Sequence, residues 1–555
     1  PDGTQAWVPS KQDNIQRGAL RDGTGLNFQS TVRAVSSRID LAAHSEDLAA
    51  RIDHDNASLA SAAVYDPRGV YLFVALETSR EVAVINAFSH AQLFRIDVGR
   101  APQGLAISPD GKALYVSNFM DRTVSVRSLT PLLVNGQYDL PLVATLASVA
   151  TEKLSASVLL GKQHFYDARD TRLARDRYLS CASCHNDGGH DGRVWDLTSQ
   201  GEGLRNTIAL RGRAGAQGFL HWSNNFDEVQ DFEGQIRALA GGTGLMSDAL
   251  FNAGTRSTPL GDPKAGLSSD LDALAAYVAS LNAFDAAPAR PSATTLSAAA
   301  SAGKAKFVAL NCAACHSGAA FTGSGANTPV DIGTLKPSSG TRLYGALTGI
   351  DVPTLRDVWA SAPYLHDGSA QTLEAAVRAH AGVTISDSEL ANLAQYLREI
   401  GVDEPAAVGT AGTGIGLVGT YFNNLTLSGT PVLTRTEAVD FNWGGRSPGA
   451  GVNSNSFSVR WTGTLTAPST GTYRFQTNSD DGARLWVNGV RLINNWTDHK
   501  ATLDTSAGVN LVAGQKVTIQ LEYYERSGSA VIQLRWLTPG DATYVTIPAS
   551  RLAPP

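Results

Sequence analysis

The chain has 555 residues, 43% of them hydrophobic, and a formal net charge of −6. That length suits three or four domains with sizeable cores, which excludes a small disulfide-stapled scaffold. The modest negative charge argues against a nucleic-acid partner, and no apolar run approaches the roughly 18–20 residues that a membrane span needs.

Residues 1–145 carry a repeat. "PDGTQAWVPSKQDNI" from Pro1, "PRGVYLFVALETSREVAVINA" from Pro67 and "PDGKALYVSNFMDRTVSVRSL" from Pro109 share one pattern: a Pro-x-Gly turn, an alternating strand, a polar turn and a second strand. Alternation of period two predicts half-buried strands. The second and third copies start 42 residues apart, which is blade spacing for a β-propeller. The set resembles the YVTN/WD-like propeller repeats of bacterial surface proteins. Two or three blades cannot close a ring, so the expectation is a partial, all-β propeller; an ordinary antiparallel sheet is the alternative.

From about residue 150 to 402 the pattern turns helical. "CASCHNDGGH" at 181–190 and "CAACHSGAAF" at 312–321 hold all four cysteines of the chain. A zinc ribbon wants its two Cys-x-x-Cys halves roughly 15–20 residues apart, whereas Cys184 and Cys312 are 128 positions apart. Cys-x-x-Cys-His is the spacing for covalent haem c, in which two thiols bind the haem edge and the adjacent histidine ligates the iron. The expected attachment residues are therefore Cys181, Cys184, Cys312 and Cys315, with His185 and His316 as proximal ligands. "SDLDALAAYVASL" and "SDSELANLAQYLREI" each open on a good N-cap and then place apolar residues at helical spacing. They are read as the closing helices of two mainly α cytochrome c domains, at 150–290 and 291–402. Residues 403–415 read as a linker, and the alternating segments of 416–555 as a β-sandwich.

The helical region resembles the bacterial dihaem cytochrome c peroxidase/MauG superfamily. The matching stretches are "GKQHFYDARDTRLARDRYLSCASCH", "GLRNTIAL", "NCAACHSG" and "VPTLRDVWASAPYLHDGSAQTLEAAV". The resemblance implies a reactive first haem and an electron-relaying second haem. "TLEAAVRAH" places His380 as the sixth ligand of the second haem. The family's closing histidine of the first haem would fall near Gln200 and Gly201; the loop offers only the earlier His190. The distal glutamate position falls near Leu245, before Met246, so Glu233 or Glu228 would have to substitute, with His221 another distal candidate. Trp222 matches the tryptophan between the haems and Gln235 the distal-pocket glutamine. An inter-domain Ca²⁺ would draw on Asn206, Ser361 and Pro363.

Residues 416–555 resemble a PA14 domain through "GLVGTYFNN", "TGTYRFQTNSDDGARLWVNG" and "VTIQLEYYERSGSAVIQLRW". In sugar-binding members a pair of aspartates holds Ca²⁺, and Asp480 and Asp481 stand at that place. Trp496 is a further sugar-stacking candidate. Together these resemblances imply a peroxide-reducing dihaem enzyme fed by a small redox protein, with carbohydrate or a cell-surface polymer as a partner of the PA14 module. The alternatives are a dihaem oxidase or oxygenase on an organic substrate, as in MauG and the rubber oxygenases, and a non-enzymatic electron carrier. Bacterial haem c is attached outside the cytoplasm, so the location implied is periplasmic, cell-surface or secreted. A start at Pro1 without a signal peptide reads as a mature or trimmed chain.

Overall fold

The computed structural model describes the chain apart from residues 1–2, 16–25, 213–218, 325–328, 408–415, 450, 542 and 555. Most of the linker read from the sequence thus lies outside the described residues. Internal contacts divide the chain into two compact units, one of residues 1–287, 329–351 and 356–382, the other of 288–328, 352–355 and 383–555. No helix among the described residues is long and apolar enough to cross a membrane.

The first unit begins with an antiparallel sheet of β1 (Gln5–Asp13), β2 (Val32–Asp40) and β3 (Ser45–His54). Two four-stranded meanders follow. One is β4 (Ala60–Tyr65), β5 (Tyr71–Leu76), β6 (Glu81–Asn86) and β7 (Gln92–Asp97); the other is β8 (Pro102–Ile107), β9 (Ala113–Asn118), β10 (Thr123–Ser128) and β11 (Leu142–Ala147). The alternating residues Phe73, Val82, Val84, Leu114 and Val116 share one buried cluster. In each meander a one-turn 3-10 helix follows the second strand and ends on a left-handed arginine, Arg80 (φ 58°) and Arg122 (φ 56°). These corners recur at the repeat spacing seen in the sequence.

The propeller expectation is overturned. Among the described residues this region forms open sheets of three, four and four strands, with no closed ring. Strand alternation encodes a meander, but ring closure needs typically 4–8 blades around one axis, and local periodicity does not count them.

The two helical segments are built alike. In the first unit the Ala156–Phe165 helix, capped by Ser155, packs on the Ser269–Ser280 helix, capped by Ser268. In the second unit the Ala298–Ala309 helix, capped by Ser297, packs on the Asp387–Arg398 helix, where Ser386 and Glu389 form a capping box. Both crossings occur at a glycine. A Cβ at Gly161 would lie 1.8 Å from the Ala273 carbonyl oxygen, and one at Gly303 would lie 2.0 Å from that of Asn392. An edge-on ring pair locks each crossing: Phe165 on Tyr277 at 5.1 Å and Phe307 on Tyr396 at 5.6 Å, both at 67°. Such aromatic pairs add about 0.5–1.5 kcal/mol beyond the area they bury. The shared Gly-Lys-x-x-Phe pattern, Gly161 to Phe165 and Gly303 to Phe307, is visible in the sequence once the crossings are known.

The C-terminal part of the second unit is a two-sheet antiparallel sandwich. Strands Phe457–Thr466 and Lys516–Glu525 form the centre of one sheet, and Gly471–Asp480 pairs with Ala530–Leu537 in the other. Inward residues alternate along each strand, so Trp461, Tyr473, Phe475, Tyr523 and Trp536 meet in one core; this is the arrangement that period-two patterning on two facing sheets demands.

Candidate haem centres and a cation cleft

At the first centre Cys181–Cys184 form one helical turn, opened by Ser180 and Ser183 in a reciprocal cap. The His185 N–H closes the turn on the Cys181 carbonyl at 2.9 Å. One turn brings both thiols and the histidine to the same side, which is why the spacing works. Both cysteines are free and partly accessible. Burial in the surrounding protein pushes the Cys181 thiol up to about 11 and Cys184 well above its ordinary value. Two bonds tie the strand region to the helical segment: Ser58 Oγ bonds Ser183 Oγ at 3.0 Å, and the Ala168 N–H donates to the Thr78 carbonyl at 2.9 Å. Burial lowers the His185 pKa, so the ring is neutral. Its Nδ1–H donates to the Gly189 carbonyl at 3.3 Å, which puts the lone pair on Nε2, the form that ligates iron.

The second centre repeats the scheme within its own unit. Cys312–Ala314 is a 3-10 turn entered from a left-handed Asn311 (φ 56°). Burial pushes the Cys312 thiol up to about 11, and His316 Nδ1–H donates to the Pro353 carbonyl at 3.1 Å. In the first unit, His380 follows the Leu373–Arg378 helix, and its Nδ1–H donates to the Ala376 carbonyl at 2.9 Å. These residues fit haem c: free protonated thiols one turn apart, beside imidazoles whose tautomer is set by a carbonyl. They do not fit structural zinc, because the cysteines join no cluster of three or more metal-ligating side chains among the described residues.

The remaining predicted residues sort by what they touch. His190 has both ring nitrogens occupied: Nε2–H donates to the Ala360 carbonyl at 2.7 Å and Nδ1 accepts from the Gly192 N–H at 3.1 Å. Gln200 and Gly201 close a short turn, with Gly201 left-handed at φ 75°. Trp222 is buried and its indole N–H donates to the Asn206 carbonyl at 2.8 Å. Gln235 is half-buried on the Phe232–Ala238 helix.

The carboxylates proposed as distal acids are committed elsewhere. Glu233 accepts from Arg237 Nε (2.8 Å), Leu245 N–H (2.9 Å) and Met246 N–H (3.1 Å). Glu228 accepts from the Lys264 N–H at 2.5 Å and the Ala265 N–H at 3.3 Å. General acid catalysis needs a carboxyl that can offer a proton, and these two serve as loop anchors. Of the inter-domain calcium set, Asn206 lies against Pro363: its Nδ2–H points to the carbonyls of Pro363 (2.5 Å) and Leu365 (3.3 Å), and its buried Oδ1 has no hydrogen-bond partner. Ser361 Oγ donates to the Val358 carbonyl at 3.0 Å.

His221 is held by a chain of groups that the sequence did not reveal. Buried Arg205 grips Glu202 Oε2 through Nε (3.1 Å) and Nη2 (2.6 Å). Glu202 Oε1 accepts from Asn225 Nδ2 at 2.8 Å, and Asn225 Oδ1 accepts from His221 Nδ1 at 2.7 Å. The ring also packs on Phe226 and Phe232, at 4.4 and 5.1 Å. Burial drives its pKa down to about 4, with a smaller contribution from the nearby His185. Glu202 precedes the "GLRN" stretch and Arg205 lies within it, but nothing local marks them as partners of Asn225.

The sandwich holds a separate site. Oxygens of Asp480, Asp481 and Glu525 lie within 4.8 Å of one another, a spread that suits one oxygen-liganded divalent cation. Asp480 and Asp481 are joined by a cis peptide. Asp481 Oδ1 and Oδ2 accept from the His499 and Arg526 N–H groups at 3.0 and 2.9 Å. Burial, then the Asp481 charge, raises Glu525 to about 7, and its buried Oε1 has no hydrogen-bond partner. An open cleft of about 630 Å³ runs past both aspartates, His499, Lys500 and Ser529. Trp496 lies outside that lining and packs edge-on against Tyr524 at 4.7 Å under the Arg484 guanidinium. Glu525 was missed because it ends a strand whose pattern reads only as sandwich core.

Comparison with known proteins supports two parts of the chain. Residues 415–550 match the PA14 domain model, and residues 349–383 match the model of RoxA-like, cytochrome c-like proteins. The chain therefore joins a cytochrome c-like segment to a C-terminal PA14 domain. The anti-sigma-I factor RsgI3 of Acetivibrio thermocellus is 39% identical over 143 residues, 26% of this chain and 22% of that protein. Hydrazine synthase subunit gamma of Kuenenia stuttgartiensis is 27% identical over 262 residues, 40% of this chain and 68% of that protein. A solved anti-sigma factor domain-containing protein from Clostridium clariflavum shares 36% identity, with 27% of this chain and 52% of that chain covered and a TM-score of 0.25. This chain thus spans less than a quarter of the RsgI3 relative. The peroxidase/MauG expectation is overturned: the family matched in this region is RoxA-like, and the acids a peroxidase would use are committed to backbone amides.

Proposed function

We propose that this chain is an extracytoplasmic dihaem c-type oxidoreductase of the oxidase or oxygenase kind, acting with dioxygen on an organic substrate. The observation that carries this is the doubled Cys-x-x-Cys-His turn, each with its imidazole Nδ1–H held by a backbone carbonyl. The RoxA-like match and the committed state of Glu233 and Glu228 favour dioxygen over peroxide. Haem at these centres would supply one-electron and dioxygen chemistry that no side chain here can provide. Cys181, Cys184 and His185 would hold the first group, and Cys312, Cys315 and His316 the second. Trp222, fixed at its indole N–H, would stand along the electron path, and Gln235 would line the first pocket. A small redox protein would supply electrons.

The test is to reduce the haem-loaded chain anaerobically, add dioxygen with an unsaturated hydrocarbon latex, and follow both the haem spectrum and oxygen uptake. Reoxidation with substrate-dependent uptake is expected. Reoxidation with no uptake beyond the haem equivalents would leave an electron carrier instead.

For the PA14 domain we propose that Asp480, Asp481 and Glu525 hold a divalent cation that in turn binds carbohydrate hydroxyls. Three carboxylates this close repel one another, and a cation relieves that repulsion. Calcium chloride at 100 times its dissociation constant should stabilise the domain by about 2.7 kcal/mol, seen as a rise in its melting transition. Chelation should reverse the rise and Asp481→Asn should abolish it. A transition indifferent to calcium in the unaltered chain would refute the site.

A further inference from the structure

The start of the Phe232–Ala238 helix encloses a lysine that is poorly served as a charged amine. Lys264 is 2% exposed and its neighbour Asp231 is 3% exposed. Lys264 Nζ lies 2.5 Å from Asp231 Oδ1, its one hydrogen-bond partner among the described residues. An ammonium group has three donors, so two N–H groups lie buried with no acceptor among those residues. A buried ion pair offsets its desolvation only when the remaining protons are also satisfied.

Both partners are held in place by their surroundings. Glu228 clamps the lysine backbone, accepting the Lys264 and Ala265 N–H groups at 2.5 and 3.3 Å. The Asp231 N–H donates to the Glu228 carbonyl at 3.1 Å. Asp231 Oδ2 accepts from the Asp227 N–H at 3.1 Å, which draws electron density away from the carboxyl carbon. Asp227 borders solvent, yet partial burial of its carboxyl and then a hydrogen bond with Asp231 push it up to about 6. A group able to take and give a proton thus stands beside the pair. A side-chain amide would remove what is unfavourable here: it carries no charge, and its nitrogen keeps one N–H instead of three.

We propose that Lys264 Nζ and Asp231 Cγ join in an amide bond, a cross-link that forms in the folded chain with Asp227 as its proton carrier. Asp227 takes a proton from Nζ, and the freed lone pair attacks Cγ to form the C–N bond. The Cγ–Oδ1 bond breaks. Oδ1 leaves as water with two of the three ammonium protons, delivered by Asp227, and the third stays on the amide nitrogen. No electrons are exchanged, so no oxidant is needed. The bond closes a loop of 33 positions. It ties this region covalently where cysteine cannot, because all four cysteines lie in the two Cys-x-x-Cys-His turns. The cross-link is independent of what the haem centres do.

The experiment is mass spectrometry of a tryptic digest of the haem-loaded full chain, denatured before digestion. The unaltered chain should give one branched peptide, lighter by one water than its two parts. It joins the peptide that ends at Arg237 to the one that carries Lys264, with no cleavage after Lys264. Asp227→Asn keeps the backbone N–H bond to Asp231 and removes the proton carrier, so it should fold and yield the two parts separately, with cleavage after Lys264. Lys264→Met should yield them separately at full mass. Haem content and circular dichroism verify the fold of each variant. Separate peptides from the unaltered chain would overturn the proposal. A branched peptide from Asp227→Asn would overturn the role given to Asp227.

Discussion

A chain carrying Cys181→Ala and Cys184→Ala is expected to hold one covalent haem instead of two and to lose oxygen uptake with the organic substrate. The thiols sit on one turn beside His185, in a buried space where the protonated form is strongly favoured. Neither is replaceable from elsewhere, because the only other cysteines are Cys312 and Cys315. The pyridine haemochromogen spectrum and the intact mass give the haem count directly. The matched variant, Cys312→Ala with Cys315→Ala, should also drop one haem but leave the first centre able to bind carbon monoxide once reduced. Two haems retained in either double variant would refute covalent attachment at that turn.

The second large effect is on folding. Gly303→Ala should destabilise the second helical segment by roughly 3 kcal/mol, the upper end of what overpacking costs. The added Cβ would meet the Asn392 carbonyl oxygen at 2.0 Å and the Tyr396 Cβ at 2.9 Å. Both belong to the facing helix, so no side-chain rotation relieves the clash and the helices must part. Gly161→Ala should act alike in the first unit, against Ala273 and Tyr277. Gly234 provides the control. It lies in the Phe232–Ala238 helix with nothing within 4 Å of an added Cβ, so alanine there should be neutral or stabilising by about 0.4–1 kcal/mol. Thermal unfolding of the three variants separates the cases; equal effects at Gly303 and Gly234 would contradict the packing account.

Much of the architecture was legible because its signals are local. Ser386 followed by Glu389 announces a helix start from four adjacent positions, and the structure shows the reciprocal cap. The closing helix of the first segment starts one residue earlier than read, capped by Ser268 rather than Ser269, since adjacent serines offer the same hydroxyl. The PA14 resemblance rested on long alternating stretches, and the domain match covers 415–550. The propeller reading went wrong where local pattern stopped carrying information: the repeats make meanders, but closure is a property of all the sheets together. The peroxidase reading failed for a related reason. The sequence shows that Glu233 and Glu228 are present, whereas only the fold shows that each is occupied by backbone amides.

The sequence alone determined the two Cys-x-x-Cys-His turns, the capped helices, the meander repeat and the C-terminal sandwich, because each depends on residues within a few positions of one another. Tertiary structure decided which of those residues are available for chemistry. It joined Glu525 to Asp480 and Asp481, occupied both nitrogens of His190, and linked Arg205, Glu202, Asn225 and His221 into one chain of hydrogen bonds. A hydrogen bond depends on distance and direction in space. Residues 23 or 45 positions apart in the chain acquire both only when the backbone between them has folded.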